Sequence, residues 1–158
     1  MVDVTEISAV VAMAGVLVAV VYYLLDTRNQ AITRKTELIT SLYSTFGTEE
    51  YQRAYITVMR TTYDDYDAFL KKHVLASEEP LPATILKVLY FFDEVGVLLS
   101  KRLIDVDLID QLMGYNIIMI GNKTMTMIED ARKRLNLPRA FANFEYLYKE
   151  LKKGEQPQ

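Results

Sequence analysis

The chain has no cysteine, no tryptophan, a single histidine and only four prolines among its 158 residues. Without cysteine there can be no disulfide framework, no thiol nucleophile and no thiolate metal site, and a reducing compartment fits that absence. One histidine cannot supply the paired Glu-x-x-His ligands of a ferritin-like di-metal bundle. The scarcity of proline, with six glycines, argues for helices rather than short strands and turns. Charge of one sign is also lacking: 18 basic against 21 acidic residues leave a formal charge of −3. A nucleic-acid partner is therefore not expected. No phosphate-cradling glycine loop, dinucleotide fingerprint, zinc-protease helix or EF-hand loop occurs, and no cofactor is implied.

What the chain does have is one long uncharged run. Ile7 to Leu25, "ISAVVAMAGVLVAVVYYLL", is nineteen residues without a charge. As a helix it covers ~28 Å, close to the ~30 Å hydrocarbon core of a bilayer. Asp3 and Glu6 precede it and Tyr22 and Tyr23 stand near its end, at headgroup level. A cleaved signal peptide would begin with basic residues and leave through small ones; this segment begins acidic and exits through "YYLLD". The pattern predicts a transmembrane helix at 7–25, preceded by a short extracytoplasmic N-terminus at 1–6. Arg28, Arg34 and Lys35 all follow the run, so the positive-inside rule puts the N-terminus outside and the rest in the cytoplasm. The expected location is the cell membrane, single-pass. The triplet Asn122-Lys123-Thr124 then meets no glycosylation machinery.

Ser8, Ala12, Gly15 and Ala19 recur at helical spacing and share one face of the run. Small residues let helices approach closely in lipid, so this face is a candidate contact for the span of a second copy or of a partner subunit.

Beyond the run the periodicity is helical throughout. Residues 26–47 read as a helical stalk ended by Gly47, with Arg28 and Lys35 interrupting any coiled-coil seam. Residues 48–153 read as a helical domain. Thr48 suits an N-cap before Glu49 and Glu50, and Tyr51, Ala54, Tyr55, Val58, Met59 and Thr62 form an apolar stripe. "YDDYDAFLKKHVL" continues that helix or starts another, and "ASEEPLP" is a loop. Helices are expected at 83–103, within "IDVDLIDQLMG" between Asp105 and Gly114, at 115–135, and at 139–153. The tail 154–158 is expected to be disordered. The fold class is all-α: a transmembrane helix, a stalk and a cytoplasmic helical bundle.

Two carboxylates stand in the apolar stretch "VLYFFDEVGVLL". On a helix Asp93 and Glu94 are ~100° apart and do not converge. Glu94 shares a narrow polar strip with Lys87 and Lys101, whereas Asp93 points among apolar neighbours and needs a partner. An Arg or a Tyr hydroxyl is expected there, with Arg53, Arg60 and Arg132 as candidates. Gly96, on the core face, marks a close helix crossing. A catalytic alternative would gather Asp93, Asp64, Asp67 and His73 around a divalent metal. Yet His73 sits where it can cap a helix end, and the clusters Asp64-Asp65-Asp67 and Asp105-Asp107-Asp110 sit at helix starts. Arg132, Lys133, Arg134 and Arg139 form a basic group that could meet anionic lipid or complement helix dipoles.

The blocks "YDDYDAFLKKH", "VLYFFDEVGVLLSKRLID" and "RKRLNLPRAFANFEYLYKEL" resemble an uncharacterised family of prokaryotic proteins defined only as a domain of unknown function. Members share one N-terminal span and a small helical cytoplasmic domain. Their aromatic-aromatic-acid-acid-x-Gly block is matched by Phe91, Phe92, Asp93, Glu94 and Gly96. Where relatives often carry a Trp before "IEDARKR", this chain has Asn122. The resemblance brings no activity. The small-residue stripe, the stalk and the lack of catalytic motifs predict a membrane-anchored interaction module, a small accessory or scaffold subunit whose partners are membrane lipid and another transmembrane helix, its own copy's or a partner subunit's. The alternatives are a carboxylate-based metal enzyme at the membrane surface and an anionic-lipid or signal sensor.

Overall fold

The computed structural model describes residues 4–72 and 81–154, with side chains described from Met13 onward and, after the gap, from Pro82. His73, residues 76–80 of the expected loop "ASEEPLP", the tail beyond Gly154 and the side chains of Ser8 and Ala12 lie outside the described residues, whereas Leu81 and Pro82 of that loop already belong to a helix. Every regular element among the described residues is helical. The chain divides into two compact units, residues 1–39 and 40–158.

Helix α1 runs unbroken from Val4 to Phe46. In the first unit, every described side chain from Met13 to Leu25 is exposed, with Leu17 at 67% and Val18 at 70%. From Asp26 the helix turns polar: Gln30 donates to Asp26 at 2.8 Å, and the Thr27 hydroxyl returns to the Tyr23 carbonyl at 2.8 Å. Among the described residues no helix is long and apolar enough to cross a membrane. The span expected at 7–25 is therefore not shown.

The second unit begins with the last turns of α1, where Leu42 is buried. Gly47 ends that helix, and the Thr48 hydroxyl accepts the Tyr51 amide at 3.3 Å to open α2, Glu49–Arg60. Tyr51, Ala54, Tyr55 and Val58 of the expected stripe are buried. The chain then breaks, and Asp65 accepts the Ala68 amide at 2.8 Å to start α3, Tyr66–Leu70. Helix α4, Leu81–Ser100, carries Pro82 in its first turn, where a missing amide costs no hydrogen bond. It ends three residues earlier than its apolar pattern because Arg102 turns left-handed, at φ 56°. Leu103 is consequently exposed, not part of the core face.

Gly114 does not close the next helix. Helix α5, Val106–Ile109, passes into a π-helical turn, Asp110–Gly114, and straight on into α6, Tyr115–Leu135. A Cβ on Gly114 would lie 2.1 Å from Asp110 Oδ1, so the glycine serves the wide turn rather than a stop. Asn136, at φ 53°, ends α6, and the Leu137 amide reaches back to the Arg132 carbonyl at 3.1 Å. Helix α7 spans Ala142–Gly154, starting later than its pattern because Phe141 is left-handed at φ 54°.

Helix α4 is the centre, packed against α2 on one side and α7 on the other. Val88, Phe92 and Val95 are completely buried. Around Phe92 the rings of Phe46, Tyr51, Phe91 and Phe144 lie 5.3–6.4 Å away, centroid to centroid. Each such side chain contributes roughly 1.5–3 kcal/mol through burial.

Candidate functional site

The start of α7 has no capping side chain of its own, because Phe141 stands where Ser, Thr, Asp or Asn would usually be. Asp93, fifty residues earlier on α4, does that work. Its Oδ1 accepts the amides of Asn143 at 3.0 Å and Phe144 at 2.9 Å, and its Oδ2 accepts the Asn143 side-chain amide at 3.2 Å. A negative carboxylate also suits the positive end of the helix dipole. One turn along α4, a Cβ on Gly96 would lie 2.1 Å from the Asn143 carbonyl oxygen. The spacing Asp-x-x-Gly thus joins an acceptor to the gap that admits the helix end it holds.

This corrects the expected partner of Asp93, which is backbone and amide rather than Arg or Tyr. Arg53 pairs with Glu49, and Arg132 donates to the Ala140 carbonyl at 2.8 Å and to Glu145 at 2.6 Å. Glu94 is exposed, as its strip predicts. Gly96 does mark a close crossing. A second crossing, which the periodicity does not reveal, lies between α6 and α7: a Cβ on Gly121 would be 2.2 Å from the Tyr148 ring. The Tyr148 hydroxyl donates to Asn122 at 2.6 Å.

The acidic residues do not gather. Among the described residues no group of three or more His, Cys, Asp or Glu side chains could hold a metal ion. Asp67 pairs with Arg134, and Asp130 accepts the Tyr63 hydroxyl at 2.7 Å. Burial, and then this bond to Asp130, push the Tyr63 hydroxyl well above its usual range. The basic group is dispersed as well. Arg132 is mostly enclosed between α6 and α7, Arg134 is engaged by Asp67, and Lys133 and Arg139 stand exposed without an ion pair among the described residues. In the first unit, Gly15 and Ala19 face open space.

One apolar feature of the second unit is a groove that motif reading did not single out. About 200 Å³ in volume, it is formed by α3, α4, α6 and the turn before α7. Leu70, Leu86, Leu89, Ile128, Leu135 and Phe141 are among its walls. Leu86 and Leu135 are exposed, and the Phe141 ring packs 5.3 Å from that of Tyr90. The signal available in sequence was Leu86, an apolar residue beside the polar strip of α4. Its meaning depends on α3 and α6 arriving next to it.

A family model described as a domain of unknown function, DUF4760, matches residues 9–151. No curated protein and no solved structure matches the chain.

Proposed function

The chain belongs to the DUF4760 family, a domain of unknown function, and on that premise we propose that it is a membrane-anchored interaction module. The N-terminal helix would fix the chain in the bilayer and the helical domain would hold a partner protein, as a small accessory or scaffold subunit does. One observation carries this reading: thirteen consecutive uncharged residues of α1, Met13 to Leu25, are exposed on every side. A helix apolar all round needs lipid or other apolar helices against it. Those thirteen residues cover ~20 Å, short of a ~30 Å hydrocarbon core. The sequence extends the uncharged run back to Ile7, inside the same helix, and brings the length to ~28 Å. Arg28, Arg34 and Lys35 favour a cytoplasmic position for everything that follows. The open face at Gly15 and Ala19 supports contact with a second span, its own copy's or a partner's.

The test is membrane flotation after an alkaline carbonate wash, with protease added from each side. The full chain should float with the lipid and be cut within residues 48–153 only from the cytoplasmic side. Release by carbonate would end the reading. For the helix face, Gly15→Leu should weaken self-association or partner association in a membrane two-hybrid assay.

A further inference from the structure

We draw no further inference here: the strongest candidate, the uncharged apolar groove between α3, α4, α6 and the turn before α7, carries none because nothing in the structure shows what covers it.

Discussion

Asp93 anchors Phe144: the carboxylate Oδ1 accepts the Phe144 amide at 2.9 Å and so ties the first turn of α7 to the middle of α4. The adjacent Asn143 amide reaches the same oxygen at 3.0 Å. Asp93→Ala leaves both amides without an acceptor in a half-buried place and should destabilise the domain by about 3 kcal/mol. Asp93→Asn keeps an acceptor but loses the charge at the helix end, and should cost about 1–2 kcal/mol. Denaturant titration of the full chain in detergent checks both against Glu94→Ala, an exposed neighbour expected to be within 0.5 kcal/mol of wild type. An Asp93→Ala variant no weaker than Glu94→Ala would refute the cap.

The two close crossings differ in what blocks them. At Gly96 an added Cβ meets the Asn143 carbonyl, backbone that cannot move without unseating α7 from Asp93. At Gly121 it meets the Tyr148 ring, which can swing away and give up its bond to Asn122. Alanine improves helix propensity by about 1 kcal/mol at either site. Gly96→Ala should still cost roughly 2–4 kcal/mol, whereas Gly121→Ala should cost less, and the added change Tyr148→Ser should remove most of the Gly121→Ala penalty but none of the Gly96→Ala one. Thermal melts of the four variants decide it.

Helix periodicity made the core faces of α2, α4 and α7 legible, because each burial stripe depends on its own 3.6-residue repeat. Val88, Phe92, Phe144 and Leu147 are all buried where their spacing puts them. Partnership was not legible. Burial of Asp93 implied an acceptor's need for donors, but the donors are main-chain amides, and no side-chain pattern announces a helix that lacks its own cap. Helix ends failed for a related reason. The left-handed turns at Arg102 and Phe141 occupy residues that rarely adopt that geometry, so local preference pointed the wrong way and tertiary packing prevailed. The groove was hidden for a third reason: its walls come from α3, α4 and α6, and adjacency among them is set by packing, not by any one segment.

Among the described residues the buried Tyr51 hydroxyl has no partner; its ring lies inside the aromatic cluster, centroid 4.7 Å from that of Phe91. Burial drives its ionisation far above the usual phenol range, so the group is neutral at any physiological pH. An unsatisfied buried hydroxyl is a cost, and Tyr51→Phe removes it while leaving the ring in place. The variant should be as stable as wild type or up to about 2 kcal/mol more stable. A loss of stability would mean that the hydroxyl has a partner in the assembled protein.

Glu145 sits between two cations, Lys149 on its own helix and Arg132 on α6. The hydrogen bonds from Lys149 and then Arg132 hold its carboxyl below the usual carboxylate range, against the opposing effect of burial. Its folded-state pKa is therefore lower than its unfolded one, so the stabilisation is complete above about pH 4.3 and is lost as pH falls through the folded value. Denaturation midpoints of wild type and Glu145→Gln should differ at pH 7 and converge as pH falls below the ordinary carboxylate range. The two cations should not contribute equally. Lys149 is 65% exposed and its bond is screened by water, so Lys149→Ala should cost only about 0.5 kcal/mol. Arg132 is 16% exposed and also holds the Ala140 carbonyl, so Arg132→Met strips a half-buried carboxylate and a carbonyl together and should cost about 3 kcal/mol. A milder effect for Arg132→Met than for Lys149→Ala would show that the buried Nη2 of Arg132, which has no partner among the described residues, offsets what these bonds contribute.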